Sequence, residues 1–165
     1  MYALLAFLFV LGSALSSAVA QENADSQVMR RLADSTLVSE PHWRFIGGVS
    51  TSPPLLDEQL GVSVAMFERK RDRGQAEVVE VQIYSVSSAA AASRWIRGFG
   101  DGSTGTDWRI TPYRLGDEAF LATSPDGKSL GLTIRSETLL IQVQGESLPS
   151  VERFAGHVLA AAAAN

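Results

Sequence analysis

Hydrophobic and polar residues change their spacing several times along this chain, and each change marks an element. Residues 1–20 form an apolar run with no charged side chain, ending in Ala18-Val19-Ala20, before the chain turns polar at Gln21-Glu22-Asn23. A thin apolar stripe at Val28, Leu32 and Leu37 predicts a short helix, which Pro41 stops because proline lacks the amide donor and restricts the residue before it. Residues 42–54 are mixed: Trp43, Phe45 and Ile46 alternate loosely, and Gly47-Gly48 and Pro53-Pro54 mark turns.

Strict alternation begins after that. Val62, Val64 and Met66 alternate with Ser63, Ala65 and Phe67, which predicts a strand over 61–70. Val79, Val81 and Ile83 against Glu80, Gln82 and Tyr84 predict a second strand over 78–86. Between them Arg69-Lys70-Arg71 and Arg73 are interleaved with Glu68 and Asp72, and this basic cluster reads as a solvated turn. Ser87-Ser88 suits a helix cap, and Ala91, Ala92, Trp95, Ile96 and Phe99 follow at core-like helical spacing over 89–99. A Gly/Ser/Thr/Asp loop over 101–107 leads into residues 108–113. Strands are then expected over 118–123, 129–135 and 139–144, the first two joined by the turn Ser124-Pro125-Asp126-Gly127. A closing helix over 148–163 has Ser147 as its cap, Pro149 early, and Val151, Phe154, Ala155, Val158 and Leu159 as its buried stripe.

The two halves echo each other. Val81-Gln82-Ile83-Tyr84 precedes the helix bearing Trp95, and Ile141-Gln142-Val143-Gln144 precedes the helix bearing Phe154. The expected fold is therefore α+β: an antiparallel sheet of five to seven strands built from two β-β-α-like units, with helices on one face. The expected organisation is a cleavable signal peptide over 1–20, a polar lead-in with a short helix and loop over 21–54, and one α+β domain over 55–165.

Composition bears mainly on the first segment. An apolar run followed by small residues in an A-x-A arrangement reads as a signal peptidase site, with Ala18, Ala20 and Gln21 around the cut. Gly12 and the serines at 13, 16 and 17 make the run a weak membrane anchor, although its length is about that of a span. The chain has no cysteine, which excludes a thiol nucleophile, cysteine-based zinc or iron–sulfur sites, and a lipidated cysteine at the cut. The expectation is export to a periplasmic or secreted location, with no membrane span once the signal is removed. A net charge of −4 argues against nucleic acid as a partner, since that needs a broad basic field.

The segment Leu115-Gly116-Asp117-Glu118-Ala119-Phe120, with Leu132-Thr133-Ile134-Arg135 and Leu139-Leu140-Ile141-Gln142-Val143 after it, is similar to a pattern in small exported bacterial α+β domains. In those domains a G-D-E-A strand start, a hairpin and a final helix recur, in lipoproteins and in sensor-like modules. The resemblance implies the architecture and an extracytoplasmic setting, and no particular activity. The lipobox cysteine that many of them carry is missing here.

Few residues suggest chemistry. The two histidines, His42 and His157, have no G-x-S-x-G elbow to serve, so no serine triad is expected. No spacing fits a metal site, and Gly98-Phe99-Gly100-Asp101-Gly102 follows a helix instead of preceding one, so it presents carbonyls rather than amides to a phosphate. Asp117 and Glu118, as neighbours on a strand, point to opposite faces and cannot share a proton; Arg135 is the expected ion-pair partner. The candidate ligand-binding residues are Arg135 and Asp117, through an arginine presented to an anion, and Trp108 and Tyr113, through a cleft beside the loop. The function these readings support is an exported binding or protein-interaction module, not an enzyme, with an envelope or secreted partner and no cofactor. The alternative is a small hydrolase or transferase with a carboxylate-lined cleft.

Overall fold

The computed structural model describes residues 24–51, 58–71, 74–101 and 107–164. The expected signal peptide and its cleavage residues Ala18, Ala20 and Gln21 lie outside them. In chain order the elements are α1 (Ala24–Ser39), β1 (Arg44–Thr51), β2 (Gln59–Lys70), β3 (Ala76–Val86), α2 (Ala89–Gly100), β4 (Arg109–Tyr113), β5 (Glu118–Thr123), β6 (Leu130–Ser136), β7 (Leu139–Gly145) and α3 (Leu148–Ala163). The strands form one antiparallel sheet in the order β1-β2-β3-β7-β6-β5-β4. The chain is α+β, and no described helix is long and apolar enough to cross a membrane.

Strands β3 and β7 meet at the centre of the sheet. Val81 pairs with Val143, Gln82 with Gln142 and Ile83 with Ile141. The two echoing segments therefore lie side by side, antiparallel, about a pseudo-twofold point at the glutamine pair. Because side chains alternate along a strand, this register sorts every residue between two faces. One face, here the front, carries Ala65, Phe67, Val79, Val81, Ile83, Leu132, Ile134, Ile141 and Val143, buried under Val28 and Leu32 of α1 and Val151, Phe154 and Val158 of α3. The back face carries Val86 and Leu140 with Tyr84 and Phe120, packed against Ala91, Ala92 and Ile96 of α2.

The helices thus lie on both faces, where one face was expected. Alternation in β3 picks out Val79, Val81 and Ile83, but Val86 and Leu140 are buried too, on the opposite side. A strand buried on both faces loses the polar half of its alternation, and with it the sign that a helix covers the second side. Residues 24–51, expected as part of a lead-in with a short helix and a loop, supply α1 and, in place of the loop, the strand β1. Val28 and Leu32 are fully buried, Trp43 stands edge-on to Phe154 at 4.8 Å, and β1 pairs along β2.

Local chemistry follows the sequence closely at the helix starts. Ser88 Oγ accepts the amide of Ala91, and Ser147 Oγ accepts the amide of Ser150, so both caps fill donors that the first turn leaves free. Two buried carboxylates tie the front layers together. Asp25 of α1 accepts the hydroxyls of Ser63 at 2.8 Å and Ser85 at 2.7 Å. Glu77, at the start of β3, is fully buried and accepts Arg69 Nη2 at 2.5 Å, Arg71 Nη2 at 3.1 Å, Ser147 Oγ at 3.0 Å and Ser150 Oγ at 2.7 Å. Arg69 and Arg71 of the basic cluster read as a solvated turn are therefore the counter-charge of a buried acid, clamping the β2–β3 hairpin to the start of α3. Arg69 also lies over the Trp43 ring, 4.9 Å from its centroid.

Burial alone would raise the Glu77 carboxyl. The hydrogen bonds from Arg71, Ser150, Arg69 and Ser147 outweigh it and bring its pKa from 4.5 down to about 2. Between these values the unfolded chain binds more protons than the folded one, so Glu77's contribution is complete above pH 4.5 and is lost as pH falls toward 2. The difference is on the order of 3 kcal/mol. Glu77→Gln removes the charge and leaves two arginines without their anion, so it should cost roughly 3 kcal/mol at pH 7. Its urea midpoint should also fall less steeply than the parent's between pH 4.5 and 2. Parallel urea titrations followed by circular dichroism measure both; equal slopes in parent and variant would remove Glu77 from the account of acid stability.

Candidate functional site

The back face holds an apolar cleft beyond the C-terminal end of α2. Its volume is about 310 Å³, near the lower end of ligand pockets. Phe99 of α2, Trp108, Ile110 of β4, and Phe120 and Ala122 of β5 form the walls; Gly131, Thr133, Gln142 and Gln144 form the floor. Residues at alternate positions on adjacent strands create it. Ile110 pairs with Ala122, Ala122 with Gly131 and Gly131 with Gln144, so two small residues, Ala122 and Gly131, lie at the middle of a line across the sheet. Gly100 gives room for one wall: a Cβ there would stand 2.5 Å from the Phe120 ring. No charged side chain among the described residues lines the cleft.

The floor is polar in a specific way. The Gln142 and Gln144 side chains hydrogen-bond to no other described residue. Beside them, on β3, Tyr84 donates to Gln82 Oε1, and Gln82 Nε2 donates to Glu80 Oε1. Burial raises the Tyr84 phenol above its ordinary value, and the charge of Glu80 raises it further. The half-buried Gln142 and the exposed Gln144 thus keep their amides open beside apolar walls, an arrangement in which polar groups can orient a bound group while the walls supply contact area.

The four candidate residues do not come together. Trp108 lines the cleft. Tyr113 packs on the front core, and its hydroxyl donates to Glu152 of α3, which with burial raises the phenol's pKa. Arg135 and Asp117 sit beyond the other end of α2. Arg135 Nη1 donates to Asp117 at 3.0 Å, Arg135 Nε lies 3.6 Å from Glu118, and Asp117 also accepts the Glu137 amide at 2.9 Å. Arg135 is engaged by both carboxylates and is mostly covered, its side chain 19% exposed. The Gly116-Asp117-Glu118-Ala119 start is a backbone corner: Gly116 has φ of 61°, and a Cβ there would stand 2.7 Å from the Arg135 carbonyl oxygen.

His42 is exposed, while His157 lies 3.2 Å from Glu40, which also accepts Arg153 at 3.2 Å. Burial opposes ionisation of Glu40, but the hydrogen bond with His157 and the nearby Arg153 hold its carboxyl below the ordinary value. Among the described residues no group of three or more His, Asp and Glu side chains is placed to hold a metal ion. The cleft's glutamines and Phe120 were not singled out from sequence. The available signal was three polar residues, Thr133, Gln142 and Gln144, at alternate positions of strands whose other positions are apolar.

No family model matches the chain, and no curated protein matches it in sequence. Similar folds occur among solved structures. The extracellular domain of PknH from Mycobacterium tuberculosis matches over 88% of this chain and 99% of that chain, with a TM-score of 0.57 and 9% identity. A GTP binding regulator from Thermotoga maritima matches over 83% of this chain and 84% of that chain, with a TM-score of 0.50 and 17% identity. At these identities the likeness is one of fold.

Two glycines should respond in opposite directions to alanine. At Gly131 a Cβ would meet Gln144 at 3.8 Å and Trp108 at 4.0 Å, ordinary contact distances. Gly131→Ala should therefore stabilise by about 0.5 kcal/mol, the strand penalty of glycine. Gly116→Ala should destabilise by roughly 2 kcal/mol, through positive φ and the close carbonyl. Urea midpoints measure both; a loss at Gly131 as large as that at Gly116 would mean the cleft floor is closed.

Proposed function

We propose that this chain is an exported, non-enzymatic binding module whose back-face cleft holds an apolar group of a ligand or envelope partner. The observation that carries the reading is the cleft floor. Gln142 and Gln144 present amides that no described residue satisfies, within walls of Phe99, Trp108, Ile110 and Phe120. Apolar walls favour burial of an apolar group, and open amides favour one with a neutral hydrogen-bonding portion. The A-x-A run over 1–20 and the fold shared with an extracellular domain support an extracytoplasmic setting. The rival reading, a small hydrolase or transferase, calls for carboxylates converging on a cleft, and none lines this one among the described residues.

Nile red, a neutral dye that brightens and shifts blue in apolar sites, tests the cleft. The purified protein should bind it with a Kd on the order of 10 μM, a value in keeping with a drug-sized ligand. Gly131→Val fills the floor from a position where a side chain fits, and should weaken binding at least tenfold with the urea midpoint kept. Equal dye binding by parent and variant, or turnover of an ester, glycan or peptide panel that Gly131→Val leaves intact, would overturn the reading. Mass analysis of the exported protein should find Gln21 as its first residue.

A further inference from the structure

Glu80 lies beside the cleft, one strand beyond Gln144 of its floor, with no counter-charge among the described residues. It pairs across β3 and β7 with Gln144, which pairs in turn with Gly131 on the cleft floor. Two strand spacings of about 4.8 Å put Glu80 about 10 Å from Gly131 on the same face. Its other neighbours are Met66 across β2 and Val78 along β3, both exposed and neither charged. The hydrogen-bond chain from Tyr84 through Gln82 ends on Oε1, so the second oxygen of Glu80 has no partner among the described residues.

The nearby basic groups are committed elsewhere. Arg44 pairs with Glu68 at 2.6 Å, Arg69 and Arg71 hold Glu77 on the front face, and Arg71 also reaches Glu146 at 3.1 Å. Lys70 shares the back face but pairs with Ala76, four residues along β3 from Glu80. That separation is about 13 Å, beyond the screening length of roughly 8 Å at physiological salt. A half-buried carboxylate oriented by its neighbours, beside an apolar cleft and without a cation of its own among the described residues, is complementary to a positive charge supplied from outside.

We propose that the site selects an amphiphilic cation: an apolar end fills the cleft, neutral atoms pass over Gln144, and an ammonium or guanidinium group meets Glu80. The inference rests on the cleft reading above and adds the ligand's charge and span. A free organic amine and a lysine or arginine side chain of a peptide share this chemistry.

Three probes of one length separate the claims: 6-phenylhexylamine, 6-phenylhexanol and 6-phenylhexanoate, titrated calorimetrically into the purified protein. The amine should bind about tenfold more tightly than the alcohol, and the carboxylate more weakly than both. Glu80→Gln should bring the amine within about twofold of the alcohol. Raising the ionic strength should erode the amine's advantage in the parent protein, a readout that needs no variant. If alcohol and amine bind equally, or Glu80→Gln preserves their ratio, cation selection is wrong and the cleft stands. If neither the alcohol nor the amine binds, the cleft reading itself fails. A lysine-containing apolar peptide competing with the amine more strongly than a free alkylamine does assigns the cation to a protein partner; the reverse assigns it to a small amine.

Discussion

The register of β3 against β7 is the constraint on which the rest of this structure depends. Pairing Val81 with Val143 and Ile83 with Ile141 puts the aliphatic residues of both strands on the front, beneath α1 and α3. The same register puts Gln82 beside Gln142, and Glu80 beside Gln144, on the back. A slip of one residue would send glutamines into the front core and valines into the cleft. With each buried aliphatic side chain contributing roughly 1.5–3 kcal/mol, the front layer holds the register and the back face follows from it.

The two faces are consequently different kinds of surface. The front is layered and locked: Asp25 joins α1 to β2 and β3, Glu77 joins the β2–β3 hairpin to α3, and Glu40 joins the end of α1 to α3. Among the described residues the back has a single helix, α2, whose packing against Val86, Leu140 and Phe120 covers one end of the sheet. Beyond Phe99 the sheet is open, and Met66 and Val78 stay exposed there. Stability therefore concentrates on one face, which leaves the other free to be shaped for binding without cost to the core.

Much of this was legible in the alternation. The hairpins, both helix caps, the closing helix and the echo between halves follow from period-two and period-three-to-four spacing with Ser88, Ser147 and Pro149 as punctuation. Three things were not. Arg69 and Arg71 look solvated because nothing local marks Glu77 as buried; its burial depends on Ser147 and Ser150, some seventy positions away. The thin stripe of α1 conceals how fully Val28 and Leu32 are covered, since cover is a property of the partner surface. The cleft is assembled from α2 and four strands, so Trp108 could be suspected of lining it, while Gln142 and Gln144 read as ordinary outward positions.

The back face carries an open, ligand-sized cleft whose floor presents the Gln142 and Gln144 amides without a partner among the described residues. Side-chain amide and indole resonances in a two-dimensional 1H–15N NMR titration with 6-phenylhexanol test it most directly. The account predicts shifts concentrated on the Gln142 and Gln144 amides and the Trp108 indole, with Trp43 in the front core unmoved. Shifts centred on Trp43 or on the Arg135 corner, with Gln142 and Gln144 silent, would contradict it.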